Sequence, residues 1–150
     1  MEDKIKVMIE DIIVYTDGSC LGNPGKGGWA AIILMDDNTR IEITGSDPYT
    51  TNNKMELTAV IKALETLHLH KISKKVKIYS DSMYVIKGIT EWIKSWKERK
   101  WKKVLNVDLW KYLDELVFPY DIEWIWVKAH NNNVMNNKVD ELARRSANLA

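Results

Sequence analysis

Tyr15-Thr16-Asp17-Gly18-Ser19-Cys20-Leu21-Gly22-Asn23-Pro24-Gly25 is the stretch on which the reading of this chain turns. The apolar run Ile12-Ile13-Val14-Tyr15 leads into it as a strand, and Asp17-Gly18 reads as the start of a glycine-rich turn. A carboxylate is therefore expected at the end of that strand. Beyond the turn, Gly25, Gly27 and Gly28 lead into Trp29-Ala30-Ala31-Ile32-Ile33-Leu34, a second predicted strand. Asp36-Asp37-Asn38 then turns the chain into Arg40-Ile41-Glu42-Ile43-Thr44, whose alternation predicts a half-exposed third strand. The three strands read as an antiparallel meander.

A helix follows. From Glu56 onward, Ala59, Val60, Ala63, Leu64 and Leu67 form one apolar stripe at helical spacing, and Glu56 takes a slot where an apolar residue belongs. Val76-Lys77-Ile78-Tyr79-Ser80 is a fourth strand, ending at Asp81. Short helical stretches cover Tyr84-Val85-Ile86 and Glu91-Trp92-Ile93, and a further helix runs from Val107 to Val117, stopped before Pro119. Ile122 to Val127 alternates as the last strand, and Asp140 to Leu149 closes the chain as a helix. The order β-β-β-α-β-α-α-β-α predicts an α/β fold with a mixed sheet. Residues 1–150 read as a single domain, with 1–11 as an N-terminal extension of the first strand.

Composition narrows the class. The chain has 150 residues, 45% hydrophobic and 29% charged, which suits an ordinary globular core. A single cysteine, Cys20, excludes an internal disulfide and fits a reducing compartment. The longest apolar run, Trp29 to Met35, is far short of a membrane span, and the charged start Met1-Glu2-Asp3-Lys4 does not resemble a secretory signal. A cytoplasmic protein with no membrane partner is expected, and a monomer is the default. The formal net charge of +1 conceals an asymmetry. Between Lys71 and Lys103 there are eleven basic and three acidic residues, a local excess of eight positive charges that leaves seven negative on the rest. A basic region beside an acidic cluster suits an enzyme that holds a polyanion in one place and cuts it in another.

Four acids are candidates for the cutting: Asp17, Glu56, Asp81 and Asp140. Each has a purely structural alternative. Asp17 is a common turn former, and Glu56 matches the third position of a capping box begun by Asn53. Asp81 precedes Ser82 as a helix cap would, and Asp140 in a first helical turn would complement the helix dipole. Their joint placement is harder to explain that way. Asp17 and Asp81 end strands expected to lie parallel and adjacent, and the carboxyl edge of an open α/β sheet is where ligands bind. Four convergent carboxylates repel one another unless a cation sits among them, and an all-oxygen donor set suits Mg²⁺. Two such ions would suit phosphate hydrolysis. His130, ten residues before Asp140, is placed either as a surface residue or as a proton shuttle.

Trp92-Ile93-Lys94-Ser95-Trp96-Lys97-Glu98-Arg99-Lys100-Trp101-Lys102-Lys103 interleaves three Trp with six basic residues. Basic side chains neutralise phosphates and aromatic faces pack on sugars or bases. The i,i+4 spacing of Trp92 and Trp96 also fits an amphipathic helix that uses indoles as core, so both uses are expected.

Taken together, these motifs resemble type 1 ribonuclease H, the endonuclease that cuts RNA paired to DNA. The resemblance rests on Thr16 to Gly25, Thr51-Asn52-Asn53-Lys54-Met55-Glu56-Leu57, Asp81-Ser82-Met83-Tyr84-Val85 and Asp140-Glu141-Leu142-Ala143, with Asn106 to Trp110 and Trp126-Val127-Lys128 between them. It implies a five-stranded mixed sheet, three strands antiparallel and then parallel ones, flanked by helices. It implies Asp17, Glu56, Asp81 and Asp140 as ligands of two Mg²⁺ ions, with Mn²⁺ as an alternative, and His130 as general base or proton shuttle. Asn23, Asn52 and Asn53 would contact the minor groove of an RNA/DNA hybrid, and Thr51 a DNA phosphate. Trp92, Trp96, Lys94, Lys97, Arg99 and Lys100 would belong to a basic protrusion beside the DNA strand. The implied product is RNA with 5′-phosphate and 3′-hydroxyl ends, cut with little sequence specificity.

The chain departs from the family pattern in places. Ala129-His130-Asn131-Asn132 stands where Gly-His-x-Gly is usual, Asn137 replaces an acid near the last Asp, and Met83 replaces a frequent Gln. The basic protrusion is also several residues shorter. Losing the glycines would restrict or redirect the loop around His130. Two competing readings follow: a hybrid-binding domain without catalysis, and a DNA-cutting nuclease of the same fold.

Overall fold

The computed structural model describes residues 11–35, 39–70, 75–129 and 133–150. Among them are five strands, β1 (Ile12–Leu21), β2 (Gly25–Leu34), β3 (Arg40–Thr50), β4 (Val76–Ser80) and β5 (Ile122–Trp126). The helices are α1 (Asn52–Leu69), α2 (Met83–Lys87), a π-helical turn (Gly88–Trp92) continuing into α3 (Ile93–Glu98), α4 (Val107–Val117) and α5 (Val134–Asn148). The expected turn at Asp36-Asp37-Asn38 and nearly all of the N-terminal extension lie outside the described residues.

The sheet order is β3-β2-β1-β4-β5. β1 and β2 pair antiparallel, as do β2 and β3, whereas β4 runs parallel to both β1 and β5. This is the mixed five-stranded sheet expected from the sequence. Alternation sorts the central strands into two buried faces. Ile12, Val14, Ala31 and Ile33 pack with Leu57, Val60, Ile61 and Leu64 of α1, while Ala30 and Ile32 pack with Val139 and Ala143 of α5. β2 is buried on both sides, which explains its nearly unbroken apolar run.

Several boundaries differ from the sequence reading, β3 running on from Thr44 to Thr50 among them, because pairing, packing and capping override local composition. β1 continues past Asp17-Gly18 to Leu21, paired with β2 from Ile13↔Leu34 to Leu21↔Lys26, so Asp17 lies within a strand and forms no turn. β2 begins at Gly25, and its glycines are needed by packing. A Cβ on Gly28 would lie 2.3 Å from the Ala147 nitrogen, so only glycine lets α5 sit this close to the sheet. α5 begins at Val134 rather than Asp140, started by Asn133, whose Oδ1 accepts from the Asn136 amide at 2.8 Å.

Much of the tryptophan is structural. Trp110 is fully buried, with its ring centroid 5.0 Å from that of Trp96. The Tyr84 hydroxyl accepts from Trp110 Nε1 at 2.9 Å and Asn106 Nδ2 at 3.0 Å, tying α2 to the start of α4. Among the described residues no helix is long and apolar enough to cross a membrane.

Candidate active site

The parallel pairing of β1 with β4 ends at Thr16↔Ser80. The next residue on each strand is an acid, so Asp17 and Asp81 leave the ladder side by side. That register is what the expectation of adjacent parallel strands required, although β1 itself goes on as the antiparallel partner of β2.

Glu56 reaches the same point from α1. The helix is capped by Thr51, whose side chain accepts from the Lys54 amide, so Asn53 is not the cap and Glu56 is not in a capping box. Glu56 Oε1 instead accepts from the Gly18 amide at 3.0 Å, and that N–H is shared with Asp17 Oδ1, also at 3.0 Å. Asp81 is likewise released from capping: Ser82 caps α2, its Oγ accepting from the Val85 amide at 3.1 Å. Ligand oxygens of Asp17, Glu56 and Asp81 all lie within 4.8 Å of one another.

Asp140 stands beside this trio rather than in it. It is the seventh residue of α5, not part of a first turn, so the helix-dipole explanation does not hold. Its Oδ2 is 3.3 Å from Arg144 Nε, one turn further on, and its carboxylate lies within hydrogen-bonding reach of the Asp17 carboxyl.

The electrostatics follow from the crowding. Asp17 is only 3% exposed. Burial, then the charges of Glu56 and Asp81, then the hydrogen bond to Asp140 and its charge push its carboxyl up to about 11. Glu56 is pushed well above the usual carboxylate range, first by desolvation and then by Asp81, while hydrogen bonds from Asp17 and the Gly18 amide offset part of this. Without a cation the cluster must hold at least one proton. A group of carboxylates that retains protons at neutral pH is suited to exchanging them for a hard divalent ion.

Around this centre, Asn23 Oδ1 accepts from the Asn52 amide at 3.0 Å, joining the loop after β1 to the first turn of α1. Asn23, Asn52 and Asn53 are exposed and Thr51 is half-buried. In the basic segment, Trp92 is 39% exposed with its ring 6.1 Å from that of Trp96, and Trp96 packs inward on Trp101 and Trp110. Lys94, Arg99 and Lys100 are exposed, whereas Lys97 Nζ pairs with Asp114 Oδ1 at 2.8 Å. His130 lies outside the described residues.

The sequence profile of the RNase H family matches residues 9–148. The chain belongs to the ribonuclease H family. It is 51% identical over 142 residues to a ribonuclease H of Wolbachia pipientis wMel, covering 91% of this chain and 95% of that one. It is 52% identical over 139 residues to a ribonuclease H of Methylobacillus flagellatus, covering 89% of each chain. Among solved structures, LC9-RNase H1, a type 1 RNase H with the type 2 active-site motif, superposes with a TM-score of 0.85 at 31% identity, covering 91% of this chain and 72% of that one. LC11-RNase H1, solved in complex with RNA/DNA hybrid, shares the fold with a TM-score of 0.72 at 22% identity, covering 93% of this chain and 98% of that one.

Two residues near this ribonuclease H centre escaped the sequence reading. The Gly18 amide serves two carboxylates, and a Cβ on Gly18 would fall 2.4 Å from the Glu56 nitrogen. Its glycine answers to the approach of α1, which local sequence does not reveal. Arg144 was legible in principle, because i,i+4 acid–base pairs on a helix face one another.

Proposed function

We infer that this chain hydrolyses the RNA strand of RNA/DNA hybrids endonucleolytically, with little sequence specificity, leaving 5′-phosphate and 3′-hydroxyl ends. The observation that carries the reading is the convergence of Asp17, Glu56 and Asp81 where β1 and β4 part, in a member of the ribonuclease H family.

The donor set fits a divalent cation. Three carboxylates offer only hard oxygen ligands, and the raised proton affinity of Asp17 and Glu56 gives them a deficit of positive charge to fill. Asp17, Glu56 and Asp81 would hold Mg²⁺, with Asp140 adjoining as the ligand of a second ion and Mn²⁺ as a substitute. When bound, such ions supply Lewis-acid stabilisation of charge on the scissile phosphate and its leaving oxygen.

The protein's own groups would do the rest. Asn23, Asn52 and Asn53 form an exposed amide rim that offers donors and acceptors to sugars and base edges in a minor groove. Thr51 sits at the amino end of α1, where a DNA phosphate meets the positive end of the helix dipole. Trp92 presents a half-open face to the DNA strand, with Lys94, Arg99 and Lys100 as its phosphate-neutralising neighbours. Lys97 is engaged with Asp114, which makes its proposed phosphate contact conditional on exchanging that partner. His130 is proposed from the sequence to move the proton released at the attacking water. We take residues 1–150 as one domain, acting as a monomer in the cytoplasm.

An end-labelled RNA annealed to DNA, incubated with Mg²⁺ at moderate salt, tests this reading. Single-stranded RNA, duplex RNA and the Asp17→Asn variant are the controls. Cleavage confined to the hybrid and abolished in the variant is expected. Salt-sensitive binding of the hybrid with no cleavage in Mg²⁺ or Mn²⁺ would instead establish a binding domain, and cleavage of duplex DNA a different nuclease.

A further inference from the structure

Trp126 is the last residue of β5 and lies directly opposite Ser80, the last residue of β4. It is 41% exposed at the edge of the sheet, a poor place to leave an indole for the sake of burial alone. Its one polar atom has a definite partner. Trp126 Nε1 donates to the backbone carbonyl of Asp81 at 3.1 Å.

That carbonyl belongs to the residue where β4 has just run out of ladder. Val127 N donates to the Ser80 carbonyl at 2.9 Å, the final backbone bond between the two strands. The Ser82 amide turns back to Ser80 Oγ at 3.0 Å, and Ser82 Oγ starts α2 by accepting from the Val85 amide at 3.1 Å. Residues 80 and 82 are therefore anchored by side chains of β4 and α2. The Asp81 peptide between them takes a hydrogen bond from β5, through Trp126. A carboxylate that must meet Asp17 and Glu56 within 4.8 Å is carried on a peptide plane that this indole N–H holds. Groups that orient a metal-binding side chain commonly set its affinity for the ion.

We propose that Trp126 is a positioning residue for the cation site: its indole N–H fixes the Asp81 peptide, and so aims the Asp81 carboxylate at Asp17 and Glu56. The inference rests on the reading of those carboxylates as a divalent-ion site. Phenylalanine at position 126 keeps an aromatic ring and removes the donor.

The decisive measurement is Mg²⁺ binding to the full chain by titration calorimetry, with no substrate present. Wild type, Trp126→Phe and Trp124→Phe are compared, the last perturbing the same strand at a residue packed on the core. Thermal unfolding and steady-state cleavage accompany the titrations. Loss of one hydrogen bond is expected to weaken Mg²⁺ binding about three- to tenfold in Trp126→Phe. Its kcat should fall at limiting Mg²⁺ and recover in excess, with KM for the hybrid unchanged. Trp124→Phe should lower Tm and leave Mg²⁺ affinity intact. Equal Mg²⁺ affinity in wild type and Trp126→Phe overturns the proposal, as does an effect of Trp126→Phe confined to KM. Absence of Mg²⁺ binding by wild type overturns the ion-site reading itself, a result distinguishable from either.

Discussion

The amide of Gly18 donates to Glu56 Oε1 at 3.0 Å, across 38 residues of sequence. This bond brings the first turns of α1 against β1, and Gly18 has no room for a side chain there, since its Cβ would lie 2.4 Å from the Glu56 nitrogen. Gly18→Ala must push α1 away from the sheet. Backbone collisions of this kind cost about 2–3 kcal/mol, equivalent to a fall in Tm of about 5–10 °C for a chain of this size. Thermal unfolding checks the stability, and cleavage of hybrid should fall further than stability alone explains. A variant with wild-type Tm and rate would show that α1 can yield without moving Glu56.

Crowding of the acids makes the metal-free protein sensitive to pH. The folded chain holds a proton on Asp17 up to about pH 11, whereas the unfolded chain releases it near the ordinary value of 3.8. Between those values the native state binds more protons than the unfolded one, so this site's contribution falls as pH rises and is fully present only below about pH 4. In EDTA at pH 7, Asp17→Asn removes the conflict and should raise Tm by about 4–8 °C. Wild type and variant should converge as pH approaches 4. A variant less stable than wild type at pH 7 in EDTA would contradict this.

Mg²⁺ should reverse that order. An ion at about a hundred times its dissociation constant stabilises the native state by about 2.7 kcal/mol. Wild type is expected to gain stability on adding Mg²⁺, while Asp17→Asn, Glu56→Gln and Asp81→Asn gain little and lose cleavage by about a hundredfold or more. Asp140→Asn should keep more of the thermal response than the other three, because Asp140 lies beside the trio and is paired with Arg144. Calorimetric scans with and without Mg²⁺ decide the ranking.

The two tryptophans of the basic segment should separate by phenotype. Trp96 packs on Trp101 and Trp110, so Trp96→Ala should cost about 3–5 kcal/mol of stability. Trp92 is 39% exposed, and Trp92→Ala should leave Tm within a few degrees while weakening hybrid binding by about 1–3 kcal/mol, the usual worth of one base–aromatic stack. Affinity measured at two salt concentrations would isolate the aromatic contribution from that of Lys94, Arg99 and Lys100.

Periodicity was sufficient for the element types and their order, because alternation and the 3.6-residue stripe reflect which face is buried, and burial dominates local choice. It also singled out Glu56, an acid in an apolar stripe, and Asp81 at the end of an apolar strand. Ends of elements were less legible. Asp17-Gly18 has the composition of a turn, yet pairing with β2 keeps it in a strand; Asn133 to Asn137 has the composition of a loop, yet Asn133 caps a helix.

What the sequence by itself determined is the inventory: five strands, the helices between them and the acids of the ribonuclease H motifs. Only the tertiary structure decided which acids meet. Asp17 and Asp81 are neighbours because β1 and β4 end their pairing at Thr16↔Ser80, a register set by which side chains enter the core. Glu56 joins them because a glycine lets α1 approach, and Asp140 stands beside them on α5, paired with Arg144 one turn further on. Spacing along a chain carries no distance between elements. Convergence to within 4.8 Å is fixed by packing, where the energy of burying both faces of one sheet sets the relative position of every element that bears a carboxylate.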